Sequence, residues 1–377
     1  MMYSTNFSNR AKICLVIILI CIFGCRTADN IVVKVKGDPA VPGKNLRIAV
    51  MPISNLSGTP APLQDIRRLL LESLQINGID LLEEETLEAF ITKHRLRYLG
   101  GINEGIAQDL RWETGAEAVL ITGLELYSEE VPPKIALISR LISTGNSPTI
   151  LWMDGVGLAG DDSVGLLELS LIKDPQILLR NAVRDLSVSL MGYLSSGEKK
   201  IESPEGGLRF WPWTYYRSRI VDQRANHKVA IIPFVDFTET PSAGEIIALH
   251  FVKQLSMLAG FSVIEPGVVR QTLLKYRIIQ DDGLSDAQAD ILFSKLNVDL
   301  ILSGKILDYQ DYRGGEGIPK VNFSAMILER KSREIVWACE SQHEGDDGVF
   351  FFDWGKIHTA YRLASLMVNY ALSTFLE

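Results

Sequence analysis

Cysteine is scarce in this 377-residue chain: Cys14, Cys21, Cys25 and Cys339 are all there is. Three of them stand close together near the start, so a disulfide framework of the kind that staples small secreted domains is excluded. Long apolar runs are lacking too. The longest, ICLVIILICIF from Ile13 to Phe23, has eleven residues, short of the roughly 20 that a bilayer-spanning helix needs. Positive charge is in deficit, 38 Lys and Arg against 46 Asp and Glu, and no basic block stands out. That argues against a nucleic-acid groove. With 47% apolar residues and well-mixed charges, the chain reads as folded rather than disordered.

What is there begins with the eleven apolar residues. They follow Arg10 and Lys12 with no acid before them, the pattern of a signal-peptide hydrophobic region. Ile22-Phe23-Gly24-Cys25 closes the run and resembles a bacterial lipobox. That resemblance implies cleavage after Gly24 and lipidation of Cys25 as the first mature residue. An ordinary secretory peptide with a coincidental cysteine is the plainer alternative. With Cys25 acylated, Cys339 has no partner for an intrachain disulfide, and its place after Ile335-Val336-Trp337 suggests a buried, inert thiol.

The chain then says one thing twice. Arg47-Ile-Ala-Val-Met-Pro-Ile53 returns as Lys228-Val-Ala-Ile-Ile-Pro-Phe234, Asn77 to Glu83 as Ala259 to Glu265, and Ala118 to Gly123 as Asp299 to Gly304. Ile150-Leu-Trp152 returns as Ile335-Val-Trp337, and Gly160-Asp-Asp162 as Gly345-Asp-Asp347. Each copy reads as a short apolar strand stopped by proline, an amphipathic helix (Ile66, Leu69, Leu70, Leu74; Ile246, Phe251, Leu255, Leu258), and a glycine suited to a C-cap. A short strand, two helices, a buried strand, a hairpin-like pair and a final helix follow. The expected fold class is therefore α/β: two tandem α/β domains, each a mixed sheet covered by helices. The expected divisions are 1–24 signal peptide, 25–44 short tether, 45–195 first domain, 196–225 linker and 226–377 second domain. The linker carries Phe210, Trp211, Trp213, Tyr215 and Tyr216. Such a cluster either packs between the domains or forms a docking surface for another protein.

No catalytic, metal or cofactor motif rises above background. Gly155-Val-Gly-Leu-Ala-Gly160 satisfies G-x-G-x-x-G, but Asp161-Asp162 follows where a phosphate-binding helix would have to start. His343, Glu344, Asp346 and Asp347 are more simply a solvated turn than a metal site, and the paired aspartates suit Asx turns. Glu83 and Glu265 are matched carboxylates, each immediately before a helix, where charge placement at the N-terminus accounts for them.

The repeated unit resembles the α/β domain shared by the CsgG, LpoB and TolB N-terminal families of envelope proteins. The residues that carry the likeness are Arg47 to Pro52, Gly78 to Glu83 and Glu117 to Gly123, with Lys228 to Pro233, Gly260 to Glu265 and Val298 to Gly304, and the late strands at 150–152 and 335–337. The resemblance implies a TolB N-terminal-like fold and a non-catalytic lipoprotein without a cofactor. It would be held to a bacterial membrane, the outer one facing the periplasm, through the lipid on Cys25. There it would bind or scaffold other envelope proteins, with oligomers possible. Two alternatives are a subunit of an outer-membrane secretion assembly and an envelope hydrolase with an interdomain site. No extra hairpin pair of about 9–11 alternating residues, as a transmembrane barrel requires, occurs in either copy.

Overall fold

A computed structural model describes residues 32–33, 46–162, 171–197, 199–200, 209–218, 226–280, 283–315, 317–349 and 355–376. The expected signal, Cys25 and nearly all of the tether lie outside these. A two-residue pair, β1 (Val32–Val33) with β7 (Lys199–Lys200), is antiparallel.

Two mixed sheets carry the molecule. The first comprises β2 (Ile48–Val50), β3 (Ser54–Asn55), β4 (Ala118–Ser128), β5 (Lys134–Ser143) and β6 (Ile150–Ala159), in the order β2-β4-β5-β6 with β3 beside β4. The β2–β4 and β3–β4 pairings are parallel, and the later ones antiparallel. The second sheet uses β9 (His227–Ile231), β10 (Val235–Asp236), β12 (Leu300–Gln310), β13 (Lys320–Glu329) and β14 (Ile335–Glu344) with the same order and sense, plus two extra strands: β11 (Phe261–Val263), parallel to β9 at one edge, and β8 (Thr214–Arg217), antiparallel to β14 at the other. Both long strands β4 and β12 shift register at one residue, between Leu124 and Leu126 and between Ile306 and Asp308.

Ladder register corrects one expected equivalence. Ile48 pairs with Ala118, and Val229 with Leu300. Glu117 donates its N–H to the Arg47 carbonyl just as Asp299 does to that of Lys228. Ala118 therefore corresponds to Leu300, not Asp299, and Gly123 to Lys305, not Gly304. A one-residue slip changes the face of every side chain in a strand, so the matching glycines were a lure.

Helices cover the sheets as their apolar stripes dictate. On one face of the first sheet lie α1 (Leu63–Ile76) and α4 (Pro175–Ser196), packed on Ile48, Leu120, Leu137 and Trp152. On the other, α2 (Glu84–Lys93) and α3 (Glu104–Thr114) cover Ala49, Val119, Ile121 and Ile142. Asn103 caps α3 by accepting from the Ile106 N–H, and Gly115 ends it in the left-handed region. In the second sheet α5 (Ala243–Met257) and α8 (Ala360–Leu376) take the place of α1 and α4, while α6 (Pro266–Lys275) and α7 (Asp286–Leu296) take that of α2 and α3. Ser285 and Gln288 form a capping box on α7.

The core under α5 and α8 belongs to both halves. Phe251, Phe323 and Trp337 of the second half share it with Ala136, Ile138, Ile150 and Met153 of the first. These two helices are thus sandwiched between sheets. Thirteen of the fifteen α5 residues are buried, as an interior helix requires.

Candidate functional site: an interdomain seam and an open sheet face

The seam between the halves is lined with charge. Arg140 on β5 reaches Glu265, the N-cap of α6, through two hydrogen bonds: Nε to Oε2 at 3.0 Å and Nη2 to Oε1 at 2.9 Å. Nη2 also donates to the Gly100 carbonyl, and the Glu265 carboxylate accepts from the Gly267 and Ile102 N–H groups. Glu265 is fully buried. Its expected role at a helix N-terminus is met, with a second role added that its counterpart lacks: Glu83 is exposed and makes no cap bond.

Five further pairs cross the same seam. Lys134 Nζ donates to the Tyr312 carbonyl at 2.7 Å and lies 3.4 Å from Asp311. Burial pushes the Asp311 carboxyl above its ordinary range, outweighing Lys134. Lys253 stands 3.4 Å from Asp154, whose carboxylate also receives the Ser189 hydroxyl. His250 Nε2 faces Glu125 at 3.4 Å with both side chains buried, and His358 Nδ1 faces Asp161 at 2.9 Å. Tyr98 donates its hydroxyl to Glu245 at 2.7 Å, and burial first, then that carboxylate, drives the phenol well above its usual range. Among the described residues, every ion pair with both side chains less than a quarter exposed joins one half to the other. Buried pairs of this kind fix register more than they add stability.

The G-x-G-x-x-G stretch finds its use here. A Cβ on Gly155 would fall on the Tyr361 hydroxyl, and one on Gly157 on the Tyr361 ring. The two glycines let a ring from α8 lie flat against β6. They are a landing platform, not a phosphate loop.

Among the described residues, the corresponding face of the second sheet is open. Its rows follow from the register. Thr214, Glu340, Ser324 and Lys305 stand side by side across four strands, and Tyr216, Ala338, Met326 and Ser303 form the next row. A groove of about 330 Å³ runs over them to Pro233 and Val235. Tyr216 is 56% exposed, and Phe237 and Leu307 on the far side are comparably open.

The linker aromatics divide between core and surface. Phe210 is buried edge-on to His343 (ring centroids 5.5 Å apart), and Trp211 packs on the second core near Tyr370. Trp213, Tyr215 and Tyr216 are exposed, the last two on β8. The segment therefore serves the second domain's edge and does not fill the seam. His343 is buried rather than in a solvated turn: Nε2 donates to the Trp211 carbonyl at 2.9 Å, and Nδ1 lies 2.7 Å from Asp347. Asp162 and Asp347 each accept the N–H of the residue three before it, Ala159 and Glu344, so they close their turns backward and not as the expected Asx turns, which accept from two residues on. Burial pushes the Cys339 thiol up to about 12, which makes it unreactive. Among the described residues no three His, Cys, Asp or Glu side chains converge as metal ligands, and no helix is long and apolar enough to cross a membrane.

No family model matches the chain, and no curated protein does. Solved structures do overlap with it over about one domain. One is the PelC dodecamer from Paraburkholderia phytofirmans, at 16% identity over 43% of this chain and 95% of that one, TM-score 0.29. Another is the lipoprotein GNA1162 from Neisseria meningitidis, at 17% identity over 38% and 98%, TM-score 0.28. A third is the LpoB C-terminal domain from Escherichia coli, at 10% identity over 33% and 87%, TM-score 0.24.

Proposed function

We propose that this chain is a non-catalytic module of the bacterial cell envelope, a duplicated α/β unit tethered to a membrane through lipidated Cys25, that works by binding other proteins. One contrast carries the reading. The buried charged groups of the seam face one another in ion pairs, whereas exposed aromatic and aliphatic side chains surround an open sheet face. Exposed apolar clusters with a polar surround mark contact surfaces, and aromatic residues dominate the energetics of such contacts. Trp213, Tyr215 and Tyr216 are the docking residues of this reading, with Phe210 and Trp211 anchoring the segment that presents them. The CsgG, LpoB and TolB resemblance of the sequence motifs points the same way, and outer-membrane placement facing the periplasm belongs to this proposal.

The test is crosslinking in intact cells followed by purification of the full chain, with Cys25→Ser as the unanchored form and Trp213→Ala/Tyr216→Ala as the docking variant. The expected outcome is a defined set of envelope proteins enriched by the parent chain and lost from both variants. An unmodified Cys25 in mass spectra of the mature N-terminus would refute the anchor. Equal enrichment by the docking variant would refute the surface.

A further inference from the structure

The first sheet shows what such a face can receive: helices α5 and α8 lie across β5 and β6. Extending that arrangement to a second copy would place α1 and α4 of one molecule on β13 and β14 of the next. The side chains forbid it. The glycine platform under Tyr361 is replaced by Glu340 and Gln342, paired opposite Ser324 and Asn322 where β6 has Gly155 and Gly157 opposite Ile138 and Ala136. Arg140, which holds Glu265, has Met326 as its counterpart. On the helix side, the outward positions of α1 hold Asp65, Arg68 and Glu72, which pair among themselves in water. Stacking by the seam geometry ends at two units.

The groove on the second sheet is nonetheless shaped and charged. Its floor is small (Ser303, Ser324, Ala338), so it admits large side chains from a partner. Glu340 and Lys305 stand in one row on either side of Ser324, two strand spacings or about 10 Å apart, and neither has an ion-pair partner among the described residues. Seven residues of α-helix rise about 10.5 Å.

Resting on the protein-binding reading above, we propose that this groove seats one amphipathic helix of a different protein. The helix lies across the strands with its apolar stripe on the Ala338–Met326 row. It sets a basic side chain over Glu340 and an acidic one over Lys305, seven residues apart.

The test uses the purified full chain and two labelled, stapled 15-residue Leu/Ala helices. One carries Lys and Glu at positions i and i+7, and the other carries none but has Gln at both. Fluorescence anisotropy should show the charged probe binding at least about five-fold tighter, consistent with two solvent-facing charge contacts. The double variant Glu340→Gln/Lys305→Gln should abolish that preference while leaving the thermal midpoint unchanged. Equal binding of the two probes, no binding, or a preference that survives the double variant would overturn the proposal. So would a self-associated chain that Met326→Arg makes monomeric, because a second copy would then be the occupant. If the probes fail while cell crosslinks at Trp213 and Tyr216 persist, only the helix assignment falls and the protein-binding reading stands.

Discussion

Helices α1 and α5 hold the same place on their sheets yet live in different solvents. Four of fourteen α1 residues are buried, at Ile66, Leu70, Leu71 and Leu74, and the outer face is salt-bridged and wet. α5 is buried on nearly every side and carries His250, Lys253 and Gln254 in its interior. The sheets show the converse. The β5–β6 face of the first is covered and bears Arg140 and two bare glycines, whereas the β13–β14 face of the second is open and bears Met326, Glu340 and Gln342. Duplication supplied two equal units, and the side chains at one shared boundary made them unequal. The two units share the core under α5 and α8, and that boundary decides which surface is interior and which remains available.

The largest effect that breaks this comparison comes from Arg140→Met, which gives β5 the residue found on β13. Glu265 would then be left buried with only the Gly267 and Ile102 N–H groups as partners, at a cost of about 3–5 kcal/mol. The reciprocal Met326→Arg, on the open face, should change stability by about 0.5 kcal/mol or less. Urea unfolding of both variants checks this. Equal losses would mean that the seam is not what the buried pair specifies.

A smaller effect follows from the platform. Gly157→Val puts two methyl groups where the Tyr361 ring and Thr359 hydroxyl lie, and crowding of this sort costs about 1–3 kcal/mol. Glu340→Ala, at the corresponding face of β14, should leave the unfolding midpoint nearly unmoved. A tolerated Gly157→Val, with the thermal midpoint retained, would show that Tyr361 has room to turn away.

The fold was readable because its signals are local and occur twice. Prolines stop the first strands, helical spacing marks α1 and α5, and short polar turns join β5 to β6 and β13 to β14. The short strand expected after the first helix shrinks in the first copy to one bridge between Ile48 and Leu81, however, whereas its counterpart β11 pairs with β9 over three residues. The seam was not readable. Arg140, Glu125, Asp154 and Lys253 have the composition of a solvated surface, and only the docking of the other half removes them from water. Gly155 and Gly157 looked like a weak ligand motif for a related reason: a glycine needed for close approach looks the same whatever approaches it. Sequence spacing also cannot divide Phe210 from Trp213, because three residues suffice to pass from core to edge strand.

The smallest effect is on pH dependence. Burial would raise the Asp161 carboxyl, but the hydrogen bond from His358 and the charge of that ring outweigh it and hold the group below its ordinary range. A carboxyl lowered in the folded state contributes stability that is full above its unfolded value, about 3.9, and is lost as pH falls through the folded one. Asp161→Asn removes that contribution. Its urea midpoint should therefore lie below the parent's at neutral pH and converge on it in acid. On the open face, Lys320 and Glu344 form an ion pair at 2.7 Å with both side chains about 40% exposed. Solvent screening leaves such pairs worth a few tenths of a kcal/mol or so, and Glu344→Gln should track the parent at every pH. Should the two variants show the same acid limb, the distinction between a sealed boundary and a free surface would fail at its most sensitive point, because the same chemistry would be paying no heed to which half covers it.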